Sequence, residues 1–169
     1  IINSGPIAGV MTLGAAQNGS IDFNGDVNEY SLYLIAGVTY GFSITGSSLL
    51  DPYLEILKAG GQVVVSNDDG GIGLNAHVTY TPDISGTHYI AARASGNNAT
   101  GSYIVRAWQL PTISISDATV VEGNAGTTNL VFTLTLSTLS SDSVTVAVGT
   151  TATSTATSGI DFIAALASV

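Results

Sequence analysis

Acidic side chains supply most of the chemistry this sequence could perform. Asp68 and Asp69 stand side by side in VVVSNDDGGIGLN, residues 63–75, between a β-branched run and three glycines. Asp51 opens LDPYL, and SIDFNGDVNEY crowds Asp22, Asp26, Asn28 and Glu29 together. Adjacent carboxylates repel one another, and a cation would relieve that repulsion. Calcium suits such loops because it is a hard ion that takes roughly six to eight oxygen ligands from carboxylates, amides and backbone carbonyls. Asp and Asn are also favoured turn residues in their own right. The residue types alone leave both readings open.

Other chemistries lack their residues. The chain has no cysteine, which removes disulfides, thiolate metal sites and thiol nucleophiles. His77 and His88 fall within alternating segments, HVTY and THYIA, with no G-x-S-x-G elbow or H-E-x-x-H helix nearby. They read as strand-face residues. A paired-carboxylate glycosidase needs a sugar cleft rimmed by aromatics. Trp108 and the scattered tyrosines have a spacing that instead fits a core face. GGIGLN lacks the strand–helix setting of a dinucleotide loop. No enzyme is expected. Asn18-Gly-Ser and Asn98-Ala-Thr are formal glycosylation acceptors, a short pattern that also arises by chance.

The elements that would carry the acidic loops are short strands. Val27 to Leu34 alternates with Tyr30, Leu32 and Leu34 on one face, and Thr39 to Ile44, Tyr53 to Leu57, VVVS, His77 to Tyr80, His88 to Ala92 and Ser102 to Trp108 continue the pattern. Strands at about 8–12 residue spacing with Gly, Asn, Asp and Pro between them indicate an all-β sandwich or barrel. No window shows helical periodicity with caps. The acids then sit at strand ends, where loops of different hairpins can meet at one pole.

A boundary falls near Leu110-Pro111. Tyrosine disappears after it, and residues 112–158 are crowded with Thr, Ser and Val, with strands expected in TISISDATV, at Leu130–Leu136, at Ser143–Val148 and in LASV. Alternation with Val, Ile and Leu argues for folded strands over a mucin-like stalk. The 169 residues thus divide into 1–110 and 111–169. The chain opens on Ile1, not Met, and reads as a mature product or an excised fragment. Three Lys+Arg stand against twelve Asp+Glu, for a net charge of −9. Nucleic acid is excluded as a partner on that ground, since phosphate contacts need clustered basic residues. No apolar run reaches the roughly 18 residues of a membrane-spanning helix.

Two resemblances add to these readings. GSIDFNGDVNEYSLYLIAGVTYGFSITG, LDPYLEILKAGGQVVVSNDDGGIGLNAHVTYTPDISGTHYIAARA and TGSYIVRAW, over about residues 10–108, resemble the bacterial pre-peptidase C-terminal domain. That resemblance implies a compact, calcium-capable β-sandwich appended to exported proteins. It places Asp51, Asp68 and Asp69 on recurrent acidic positions and Asp26 on the first aspartate of a GDVDW/Y pattern, with Asn28 and Glu29 where the family favours Asp and Trp. From about residue 111 to 169, S-D-A-T-V-x-E-G-N, L-V-F-T-L-T-L and T-A-T-S-G-I-D-F resemble the start of a Calx-beta domain. By that likeness Glu122 and Asp161 are metal ligands, and the later acidic loops of a complete module are missing.

The expectation is therefore an all-β chain: an antiparallel, jelly-roll-like β-sandwich followed by a second, incomplete immunoglobulin-like β-sandwich. Its function would be that of a non-catalytic, calcium-stabilised accessory, spacer or adhesion module of an exported bacterial protein, extracellular or at the cell surface. Its partners would be other domains of the parent protein or neighbouring copies of itself, with surface glycans or proteins as further candidates. A half sandwich leaves strand edges unpaired. The alternative is therefore a filament or surface-layer subunit whose second sandwich is completed by a neighbour's strands.

Overall fold

Period-two alternation of large apolar residues sorts most strands of the first unit into an inner and an outer face. The computed structural model describes residues 7–121, 126–139, 144–150 and 156–168. It divides into two units, Ile1–Leu110 and Pro111–Val169. In the first, β1 (Ile7–Val10), β2 (Ala16–Ile21), β3 (Val27–Leu34), β4 (Tyr40–Gly46), β5 (Pro52–Lys58), β6 (Val63–Asn67), β7 (Ala76–Tyr80), β8 (Gly86–Ala94) and β9 (Gly101–Gln109) form two sheets. Sheet A has the order β1-β3-β8-β5-β6 and sheet B the order β2-β9-β4-β7. Every pairing is antiparallel except β1 with β3, which is parallel.

The core lies between the sheets. Tyr30, Leu32 and Leu34 of β3, Leu54 and Ile56 of β5 and Ile90 of β8 face Tyr40, Phe42 and Ile44 of β4, Val78 of β7 and Tyr103 and Val105 of β9. Each fully buried large side chain contributes about 1.5–3 kcal/mol relative to exposure. The hydroxyls of Tyr30 and Tyr103 meet at 2.8 Å in this core and tie sheet A to sheet B. Burial, above all, raises both phenol pKa values.

The alternation places Tyr30, Tyr40 and Tyr103 inside as the sequence suggests, but not Trp108. Tyr103 and Trp108 are an odd number of residues apart on one strand, so they cannot share a face. Val105 and Ala107 join Tyr103 in the core, and Trp108 lies on the outer face of sheet B.

In the second unit, β10 (Ile113–Ile115) pairs antiparallel with β11 (Leu134–Leu136), and β12 (Ala147–Gly149) with β13 (Leu166–Ser168). Strands are shorter than the alternation predicts at Leu130–Leu136 and over residues 144–148 of the expected Ser143–Val148 strand, whose first residue lies outside the described residues. β11 finds a partner only along β10, extended by Ser116 donating to the Thr133 carbonyl and Ser137 to that of Thr112. β-propensity expresses itself only where a neighbouring strand and a covered face are present. Among the described residues of this unit, none is buried.

Candidate metal centre

Three loops build the acidic site. Asp51 immediately precedes Pro52, which opens β5 where a strand tolerates proline, at its first residue. The backbone carbonyl of Asp51 accepts from Ser95 N at 2.9 Å, joining the start of β5 to the short 3-10 turn Ser95–Asn97 after β8. Asn67 ends β6, and its side-chain oxygen accepts from Gly70 N, closing a turn around Asp68 and Asp69. A Cβ at Gly70 would meet that oxygen at 2.5 Å and the His77 carbonyl at 2.6 Å, so only glycine fits. Asn75 secures the far side of the loop, its Oδ1 accepting from Gly46 N at 2.9 Å and its Nδ2 donating to the Ile72 carbonyl at 2.8 Å.

These loops bring Asp51, Asp68 and Asp69 together. One carboxylate oxygen from each lies within 4.8 Å of the others. Asp51 and Asp68 are half-buried and Asp69 is exposed. Ser95 Oγ donates to Asp68 Oδ2 at 3.0 Å, whereas Asp51 Oδ1 and Asp68 Oδ1 are buried with no hydrogen-bond donor. Burial, then the charges of Asp68 and Asp69, holds the Asp51 pKa above the usual carboxylate range. Buried acceptors without donors are rare because each forfeits its hydration. A hard cation satisfies such oxygens directly. Three carboxylates with backbone carbonyls and water fit the oxygen-rich coordination of calcium.

No protein-family model matches the chain, and no curated protein does. Solved structures do match. PliG of Aeromonas hydrophila, a periplasmic inhibitor of g-type lysozyme, aligns with a TM-score of 0.50 at 18 % identity, covering 62 % of this chain and 97 % of that one. The pre-peptidase C-terminal domain of a collagenase from Bacillus anthracis aligns at 0.48 and 14 % identity, covering 62 % and 99 %. PliG of Salmonella Typhimurium gives 0.43 and 17 % identity, covering 60 % and 97 %. The Aeromonas likeness is one of fold.

Of the other expected ligands, Asp26 does not join the trio. Asp26 lies in the turn between β2 and β3, where its Oδ2 accepts from Asp22 N at 2.9 Å. That bond explains why an acid stands there: it closes a turn. Asp161 belongs to the second unit, and its Oδ2 likewise accepts a backbone hydrogen bond, from Thr157 N at 2.7 Å. Glu122 lies outside the described residues.

The histidines differ from each other. His88 is 4 % exposed in the core, 5.5 Å from the Tyr80 ring, with Nδ1 on the Gly86 carbonyl at 3.1 Å. His77 lies on the outer face of sheet B against Trp108. Among the described residues, neither imidazole is hydrogen-bonded to a hydroxyl or a carboxylate. Glu29, grouped by sequence with the loop acids, lies instead within β3. It is only 7 % exposed, and it shares a cross-strand row with Ala91 and Glu55. Burial, then the Glu55 charge, raises its pKa. Its partners across the sheet were the missing signal, and they depend on strand order. No helix among the described residues is long and apolar enough to cross a membrane.

Proposed function

We propose that this chain is a non-catalytic β-sandwich module pair of an exported bacterial protein, with its first unit stabilised by calcium at Asp51, Asp68 and Asp69. The single observation carrying this reading is the pair of donorless buried oxygens, Asp51 Oδ1 and Asp68 Oδ1, in a cluster of three carboxylates. Calcium would offset their lost hydration and mutual repulsion and would lock the three loops together. Resemblance to the pre-peptidase C-terminal and Calx-beta families supports an accessory, spacer or adhesive role outside the cell. Extracellular calcium modules bind in the range of about 10⁻⁴–10⁻³ M, adequate outside the cell and ineffective in the cytosol. Calorimetric melting in calcium and then in chelator tests this. A higher midpoint in calcium is expected; an unchanged one returns the aspartates to ordinary turn residues.

A second reading has its own observation. In the second unit Val131 is 74 % and Leu166 86 % exposed, and Phe132 is also exposed. Strands of a neighbouring subunit would cover such surface and turn the chain into a filament or surface-layer subunit. Electron microscopy of the concentrated chain in calcium distinguishes the two. Dispersed monomers exclude assembly, and filaments establish it.

A further inference from the structure

The outer face of sheet B holds side chains that the cation site does not use. His77 of β7, Ser43 of β4 and Arg106 of β9 form one cross-strand row, and Thr79, Gly41 and Trp108 form the next. The indole lies over Gly41, where a Cβ would meet Trp108 Cε2 at 2.5 Å. Indole and His77 imidazole are near-parallel, with centroids 5.6 Å apart and planes 23° from one another. Aromatic surface therefore runs from β9 across β4 to β7. An open cleft of about 400 Å³ adjoins it, lined by Ser43, Thr45, Ile72, Asn75 and His77 among others.

Charge marks the same face. The chain has three basic side chains against twelve acids. Lys58 pairs with Asp83 at 2.8 Å, and Arg93 pairs with Glu55 at 3.2 Å while lying over the Tyr53 ring. Arg106 is exposed and makes no ion pair or side-chain hydrogen bond among the described residues. An unpaired cation on so acidic a chain, two residues from Trp108 on one strand face, is a site for an anionic group beside a flat apolar one.

We propose that Trp108, His77 and Arg106 form a binding site for a saccharide unit carrying one carboxylate. A pyranose has an apolar C–H face that packs on an aromatic ring and a rim of hydroxyls, and Ser43, Thr45 and Thr79 offer hydroxyl groups for that rim. Arg106 and Trp108 are about 7 Å apart along the strand, within the span of a ring and its carboxylate. Guanidinium binds carboxylate through two parallel hydrogen bonds. A peptide strand could pair only along the outer strands of sheet B, β2 or β7, and not against β9, which carries Arg106 and Trp108 and has both edges taken by β2 and β4. The net charge of −9 disfavours a polyanion, so the fitting ligand is a single acidic unit in an otherwise neutral glycan.

Trp108 is the chain's one tryptophan, so its fluorescence reports on this site directly. The full chain is titrated in chelator, which keeps the test independent of the cation reading. The ligands are cellobiouronic acid and sialyllactose, with cellobiose and lactose as neutral counterparts and triaspartate as a carboxylated peptide. A saturable emission change is expected with at least one acidic sugar, about ten- to a hundredfold tighter than its neutral counterpart. Arg106→Gln, an exposed substitution, abolishes that preference. Trp108→Ala, followed by calorimetric titration once its melting shows it folded, binds neither sugar; His77→Ala, which shortens the shelf, weakens both. Three results overturn the proposal: no saturable response to either acidic sugar, an undiminished preference in Arg106→Gln, or triaspartate binding as tightly as the sugars.

Discussion

Replacing Asp68 with asparagine in the acidic trio has opposite consequences with and without calcium. The three carboxylate oxygens lie within 4.8 Å of one another. Two unit charges at that distance repel by about 0.9 kcal/mol in water and about 3.5 kcal/mol at an effective dielectric of 20. With Asp51 and Asp68 half-buried and Asp69 exposed, about 1–2 kcal/mol is relieved by the substitution, and asparagine still offers an oxygen to Ser95 Oγ. In chelator, Asp68→Asn therefore melts higher than the parent, by roughly 4–10 °C for a unit of this size. In calcium the gap narrows, and at a hundredfold excess over the dissociation constant the order reverses. The parent gains about 1.4–2.7 kcal/mol at ten to a hundred times the dissociation constant, and the variant, short of one charged ligand, gains much less.

Protons sharpen the test. The Asp51 pKa is raised in the folded state, chiefly by burial, so without calcium its protonation favours folding below the ordinary value of 3.8, and that contribution is lost as pH rises through the raised value. Bound calcium favours the ionised form, so its stabilisation is present above the carboxylate range and lost on acidification. Scanning calorimetry of both proteins, with calcium and with chelator, at pH 4 to 8 measures all four combinations. If Asp68→Asn shifts the midpoint equally in calcium and in chelator, no ion binds at the trio and the argument from its donorless oxygens fails.

Glu29→Gln should raise stability at neutral pH. The raised Glu29 pKa means that ionising it costs folding free energy as pH climbs through the carboxylate range, and urea titrations at pH 4 and 7 should show the variant's advantage only at the higher pH. Tyr103→Phe strands the Tyr30 hydroxyl in the core and should cost about 1–3 kcal/mol in chemical unfolding, part of it recovered when Tyr30→Phe is added. Gly41→Ala pushes on the indole above it; a cost of about 1–3 kcal/mol and a shifted emission maximum are expected, and unchanged fluorescence would refute the close approach.

Strands with strong alternation were legible in the sequence because their two faces meet different media. β3 was read with its bounds, and β4, β5, β7, β8 and β9 within one or two residues at most ends. β1 and β2 were not. AQNGSI has no apolar alternation, and β2 is held on one side only, by β9. The parallel docking of β1 on β3 is a tertiary pairing with no local signal. Asp51, Asp68 and Asp69 were recognisable as loop acids, whereas Asp26 resembled them in type and differs in its backbone hydrogen bond, which no motif spells out. Trp108 was assigned to the core with the tyrosines. Counting parity along β9 from Tyr103 would have moved it outside.

Sheet B also imposes an order on folding. Ala16 pairs with Arg106 and Ile21 with Gly101, so the second strand made is held by the last one of its unit. In sheet A, β3 likewise waits for β8. Such distant pairings must close long loops before they gain contact energy, which makes folding slow. On a ribosome adding about 5–20 residues per second, neither sheet can close until nearly the whole unit has emerged. For roughly the 5–20 seconds in which this unit is made, β2 and β3 wait without β9 and β8, and β2's polar composition leaves it little apolar surface to pair wrongly.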